Sequence, residues 1–289
     1  MNIQPHTLGK QAPILVLGGT GKTGSRIVHR LNRLNWPVRI GSRTGDPSFD
    51  WLNPASWRAA LQDIAAVYIS FQPDLAVPGA VEIIRHFVST AVNSGVQKLV
   101  LLSGRGEAEA QQCEQIVQTS GVDWTILRAS WFSQNFSESY LLDPVQEGFV
   151  ALPAGSVGEP FIDAEDIADV AVAALTQEGH SGQLYEVTGP RLLTFAEAMQ
   201  EIAAVTGRVI HYESISPEQY AATLREYGVP EEFVALLRYL FSEVLDGRNA
   251  SLGDGVQRAL GRPPADFADY ARRTATTGIW SGISKTVEE

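Results

Sequence analysis

The chain has 289 residues, 44% hydrophobic and 19% charged, enough for one large domain or two modest ones around a sizeable core. A net charge of −11 with no basic run argues against a nucleic-acid partner. One cysteine, Cys113, gives no disulfide framework, and the five histidines (6, 29, 86, 180, 211) have no ligand spacing, so no metal site is expected. The opening stretch MNIQPHTLGKQAP has no apolar signal core, and no run reaches the length of a membrane span; a reducing cytoplasm is the expected location.

In chain order, ILVL (14–17) reads as a buried strand and GSRIVHRLNRLN (24–35) as a helix, with Ile27, Val28, Leu31 and Leu34 at helical spacing. Between them lies GGTGKTGS (18–25), which contains two competing signatures. Gly21-Lys22-Thr23 could end a P-loop, but that loop needs a glycine five residues earlier, where Val16 stands inside the strand. The dinucleotide pattern fits instead: Gly19, Gly21 and Gly24 give G-x-G-x-x-G, and Gly18, Gly21 and Gly24 give G-x-x-G-x-x-G. A strand, a glycine turn and a helix place a pyrophosphate on the helix N-terminus, where unpaired N–H groups and the helix dipole favour negative charge.

PVRIGSR (37–43) reads as the second strand. FDWLNPASWRAALQDI (49–64) reads as a short extended piece, then a helix opened by Pro54. AAVYISF (65–71), KLVLLSG (98–104) and DWTILRA (123–129) read as strands, separated by helices over 80–95, closed by Gly95, and 108–121. Six strands, counting the extended piece at 49, that alternate with helices predict a Rossmann-type, doubly wound parallel sheet in the order 3-2-1-4-5-6. Beyond 130 helices dominate, at 164–175, 194–207 (Thr194 and Glu197 forming a capping box), 215–228 and 230–247. Short strands are expected at 183–189 and 209–214. The expected organisation is an N-terminal extension (1–12), a nucleotide-binding core (13–130), a smaller, mostly helical substrate and lid region (131–280) packed on it as one compact unit, and a tail (281–289).

The segments ILVLGGTGKTGSRIV, FDWLNPASW, KLVLLS, GVDWTILRASWFSQNF, PFIDAEDIADVAVAAL, QLYEVTGPRLLTFAEA and GRPPADFADYAR together resemble the NmrA-like branch of the atypical short-chain dehydrogenases. Within it they look most like the festuclavine synthase and agroclavine dehydrogenase subgroup. The resemblance covers about residues 13–275 and implies NADP(H) or NAD(H) binding without fixing a substrate. It assigns the cofactor to the turn (Gly18, Thr20, Gly21, Lys22, Thr23, Gly24), to the strand end carrying Phe71, Gln72 and Pro73, and to Ser103, Ala129 and Ser130. At the end of the second strand, where an NAD enzyme carries an acidic residue for the ribose 2′-hydroxyl, this chain has Ser42 and Arg43. A guanidinium fork suits a 2′-phosphate, so NADP(H) is favoured over NAD(H).

Carbonyl-reducing relatives carry Tyr-x-x-x-Lys on the helix after the fifth strand, where the tyrosine protonates the alkoxide. Here those positions become Gly106 and Ala110, and no tyrosine or lysine lies between 99 and 123, so no catalytic acid is identified. Two readings follow. In the first, the chain is a reductase whose acceptor needs no such acid: an iminium or cationic dye is neutralised by hydride, and a quinone gives a stable oxyanion. Festuclavine synthases are understood to reduce an iminium, and triphenylmethane dye reductases of the superfamily a carbocation-like dye. In the second, the chain is a non-catalytic NADP(H)-binding regulator of the NmrA type, with a protein partner. An ordinary carbonyl reductase ranks last. For the reductase, Trp131, Phe132, Phe136 and Tyr140 form an expected aromatic substrate surface, each good cation–π contact contributing about 0.5–2 kcal/mol. Asp163 and Asp166 read as helix caps.

Overall fold

The computed structural model describes residues 12–282. The expected N-terminal extension and tail, with His6, lie outside the described residues except for 12, 281 and 282. Among the described residues there are eight strands: β1 (Ile14–Leu17), β2 (Val38–Gly41), β3 (Ala66–Ile69), β4 (Lys98–Gly104), β5 (Asp123–Ala129), β6 (Phe149–Leu152), β7 (Gln183–Val187) and β8 (His211–Ser214). The helices are α1 (Lys22–Arg33), α2 (Trp57–Leu61), α3 (Ala80–Asn93), α4 (Ala108–Gln118), α5 (Asn135–Glu138), α6 (Leu142–Glu147), α7 (Ala164–Thr176), α8 (Phe195–Thr206), α9 (Pro217–Glu226), α10 (Glu231–Tyr239), α11 (Gly255–Leu260) and α12 (Phe267–Ala275).

Six parallel strands form the central sheet in the order β2-β1-β3-β4-β5-β7. The chain turns one way from β1 to β2 and the other way to β3, which opens a crevice at the strand C-termini. Successive side chains of a strand point to opposite faces, and both faces here are covered. Leu15, Leu17, Val67 and Ile69 join one core with α2, α3 and α4, whereas Ile14, Val16, Ala66 and Tyr68 join the other with α1, α7 and α11. Burial on both sides explains the unbroken apolar run ILVL, each side chain contributing about 1.5–3 kcal/mol.

The sheet corrects two expectations. Residues 49–52 are not a strand: Phe49 and Trp51 alternate because they anchor a loop, packing with Trp57 and Phe87 in an aromatic cluster beside the sheet. The sixth strand is β7, paired with β5, and α7 packs on the sheet beside α1. The nucleotide-binding core therefore does not end at 130: α7 and β7 return to it after the chain has built α5, α6 and β6. An ion-pair seam ties α7 to α1, with Arg26 and Arg30 both on Glu165 and Arg30 on Asp169. The remaining helices surround a third core with Phe136, Phe161, Phe195 and Phe267 at its centre, flanked by the two-stranded parallel sheet of β6 and β8. The capping box of Thr194 and Glu197 forms on α8 as the sequence predicts. Asp163 caps α7 by accepting from the Glu165 amide, but Asp166 instead pairs with Arg262 and accepts from the Ala265 amide.

Candidate active site

The turn after β1 is built around glycine. Gly18 has a left-handed φ of 65°, and its carbonyl accepts from the Gly21 amide at 2.8 Å. A Cβ on Gly24 would run into the Gly18 carbonyl, so only glycine lets the first turn of α1 sit this close to β1. Gly21, the N-cap of α1, offers no side chain to the N–H groups behind it. The result is a helix N-terminus with bare backbone donors opening on a cavity of about 310 Å3, a fit to a pyrophosphate. Thr23 is buried and its hydroxyl accepts from Tyr68 at 2.9 Å, fixing the turn to β3. Lys22 lines the same cavity with Nζ donating to Asn135 at 3.1 Å. Burial lowers its pKa, outweighing the pull of the Glu138 carboxylate.

The cavity runs along the C-terminal ends of β1, β3, β4 and β5, touching in turn Gly18, Gln72, Ser103 and Ala129. Phe71, Pro73 and Ser130 also line it, so most of the sequence-predicted cofactor residues are brought together. Thr20, Gly24, Ser42 and Arg43 do not line it: Thr20 is exposed, Gly24 packs against the Gly18 carbonyl, and Ser42 and Arg43 follow β2 away from the cavity wall. Among the described residues, Arg43 makes no side-chain hydrogen bond or ion pair. Ser103 is committed, its hydroxyl donating at 2.6 Å to the buried Glu114, which also pairs with Arg128.

At the other end the wall is aromatic and aliphatic. Trp131, Phe132 and Tyr140 line it, roofed by Phe233, Leu236 and Leu240 from α10 and the π-helical turn that follows. Trp131 is wedged against Phe195 and Phe241, with ring centroids 5.3 and 4.8 Å away. Phe136 does not join them. It is fully buried between Phe161, Phe195 and Phe267, where the third core needs its volume, so it is a packing residue. The 131–140 segment is held by Gln134, which donates to Asp163 at 2.8 Å and accepts from the Ala164 amide. The Tyr-x-x-x-Lys pair of carbonyl reductases would have no room here: Gly106 has a φ of 79°, a Cβ there would meet the Asn249 amide nitrogen at 2.6 Å, and Ala110 is sealed in the core.

Three acids in the cavity wall escaped the sequence reading. Burial raises the pKa of Asp74, and burial together with the neighbouring Asp74 holds that of Glu107 well above the usual carboxylate range. Glu159 is 1% exposed, and burial pushes its pKa up to about 7 against the opposing pull of the Trp131 amide, Arg105 and Ser130. None lies in a motif or at a periodic spacing. Glu159 stands in VGEPFID, where its only signal is a charge beside an apolar stretch.

The model of the NAD(P)H-binding family matches residues 18–178, more than half of the chain. The chain is 33% identical over 280 residues to agroclavine dehydrogenase of Claviceps fusiformis, covering 89% of this chain and 95% of that one. This protein belongs to the NAD(P)H-binding, NmrA-like family. It is an NAD(P)H-dependent reductase with a Rossmann-type fold. It is also 31% identical over 283 residues to an NAD(P)H azoreductase of Xenophilus azovorans, covering 91% of this chain and 98% of the relative. Among solved structures, its fold is similar to the NADPH complex of an NADPH-dependent quinone oxidoreductase from Escherichia coli. The TM-score is 0.76 at 20% identity, over 90% of this chain and 99% of that one. No helix among the described residues of this family member is long and apolar enough to cross a membrane.

Proposed function

We infer that this reductase delivers hydride from NADP(H) to a flat small-molecule electrophile such as a quinone, an iminium or a cationic dye, in one cavity that holds nucleotide and acceptor end to end. The observation that carries the reading is the cavity itself, with the bare glycine turn at one end and Trp131, Phe132 and Tyr140 at the other. The reduced nicotinamide supplies the hydride. The turn from Gly18 to Gly24 holds the pyrophosphate on the α1 N-terminus, with Lys22 beside it. Phe71, Gln72 and Pro73 flank the nucleotide, and Ser103, Ala129 and Ser130 border its reactive end. Ser42 and Arg43, on the flank where the second strand ends, hold the 2′-phosphate that distinguishes NADP(H) from NAD(H).

The aromatic wall positions a planar acceptor and excludes water. A left-handed Gly106 and a core-packed Ala110 leave no place for the Tyr-x-x-x-Lys pair, which supports an acceptor that does not develop an alkoxide. The single, buried cysteine suits work in the cytoplasm. The test is loss of NADPH absorbance with wild-type protein offered a quinone, a cyclic iminium, a triarylmethane dye and a simple ketone. Turnover of the flat electrophiles above the ketone is expected; rapid ketone reduction with the others refused would overturn the reading.

A further inference from the structure

The acceptor end of the cavity holds a carboxyl that the fold has placed with care and left half used. Glu159 sits where the 153–163 segment crosses the end of β5. Its backbone pairs with Leu193 in both directions, at 2.9 and 3.0 Å, and three residues on the Ile162 amide donates to the Trp131 carbonyl at 2.9 Å. This clamp sets the side chain beneath Trp131. One oxygen, Oε1, accepts from the Trp131 amide at 3.3 Å, while Oε2 is buried with no hydrogen-bond partner among the described residues. A buried carboxyl oxygen without a partner is costly, so its placement in a ligand cavity points to a ligand.

We propose that Glu159 is the acid of this site, protonating the anion left when an oxygen-bearing acceptor such as a quinone takes up hydride. The inference rests on the reductase reading above. In the step, a quinone gains a hydride, with its two electrons, from the dihydronicotinamide, which is oxidised, and becomes a hydroquinone monoanion. The O–H bond of Glu159 then breaks, a new O–H bond forms on the substrate oxyanion, and the carboxylate recovers its proton from solvent. An anion of the phenolate type, with a pKa of about 10, takes a proton downhill from a carboxyl titrating near neutrality. The charged and titratable groups around it are few. The Trp131 amide, Arg105 and the Ser130 hydroxyl pull its pKa down against burial. Arg105 itself is held by the Asn249 and Ser251 carbonyls and by Glu186, and Ser130 accepts from it at 3.3 Å. Lys22, Asp74, Glu107 and the unpartnered hydroxyl of Tyr140 line the same cavity.

An acceptor that becomes neutral on taking hydride needs no proton, and this separates the roles. In Glu159→Gln, kcat with a quinone should fall about 100-fold while kcat with a cationic triarylmethane dye falls less than about threefold, as loss of a general acid requires. NADPH affinity, measured by fluorescence titration, should hold. A protonated-carboxyl infrared band titrating near pH 7 should be present in the wild type and absent from the variant. If Glu159→Gln does not fold, Glu159→Asp, which keeps the acid but withdraws it, should show the same split between acceptors to a smaller degree. Equal loss on quinone and dye, or loss on neither, overturns the proposal. Loss of quinone activity in Glu107→Gln alone would move the proton to the Asp74 and Glu107 pair. Wild-type protein that reduces the dye or the iminium but no quinone sinks this inference and leaves the reductase reading standing; wild-type protein that reduces none of the three sinks both.

Discussion

The two ends of the cavity are built by different physics. At the end proposed for the nucleotide the backbone does the work: glycines remove side chains so that N–H groups and a helix terminus face the cavity, and the turn is closed by the amide of Gly21 on the carbonyl of Gly18. At the end proposed for the acceptor side chains do the work, gathered from places far apart in the chain: Trp131 after β5, Glu159 ahead of α7, and Phe233 and Leu236 on α10. A backbone site tolerates almost no substitution but is indifferent to what lies beyond the turn. A side-chain site can be re-cut residue by residue.

The largest effect expected at the acceptor end is on stability. Glu159 has its folded-state pKa raised from 4.5 to about 7. Its contribution is therefore fully present below 4.5 and is lost as pH rises through about 7. Because Glu159→Gln cannot ionise, the variant should gain on the order of 3 kcal/mol relative to wild type between pH 4.5 and 8, read by chemical denaturation at both pH values. Parallel curves at both pH values would mean that the carboxyl is not held in a desolvated site.

At the nucleotide end, Gly24→Val forces a side chain into the Gly18 carbonyl. Overpacking of about 1–3 kcal/mol there should weaken NADPH binding up to about 100-fold while leaving the acceptor wall intact. Arg43→Ala, on the flank of the turn, should weaken NADPH by about 10- to 30-fold and NADH by little, since only the 2′-phosphate loses its charged donor. Equal losses for both nucleotides would remove Arg43 from cofactor choice. Smallest of the four, Trp131→Ala should raise the KM for a planar acceptor about 10-fold with the NADPH dissociation constant unchanged, the scale of one lost aromatic contact with its buried area. A matching loss of nucleotide affinity would show that the two ends are not separable.

The same contrast explains what could be read in the sequence. The glycine turn is legible because its tightest constraints are local: Gly24 packs on Gly18 and Gly19, the Gly21 amide closes on the Gly18 carbonyl, and ILVL and the α1 periodicity flank them. Parallel strands buried on both faces also announce themselves. The misreadings have a common cause in long-range packing. Phe49 and Trp51 alternate like a strand yet serve an aromatic cluster, β7 completes a sheet begun more than 160 residues earlier, and Phe136 shares a segment with Trp131 but lies inside the third core rather than on the cavity wall. Glu159, Asp74 and Glu107 carry no pattern because what makes them unusual is burial, a property of the folded chain.

The most direct test of this division is a crystal structure with NADP+ bound. The pyrophosphate is expected against the backbone from Gly18 to Gly24, the 2′-phosphate on Ser42 and Arg43, and the nicotinamide between Ser103 and Trp131 with its free face toward the aromatic wall. A nicotinamide turned away from Trp131 and Glu159, or a nucleotide bound clear of the glycine turn, would contradict it.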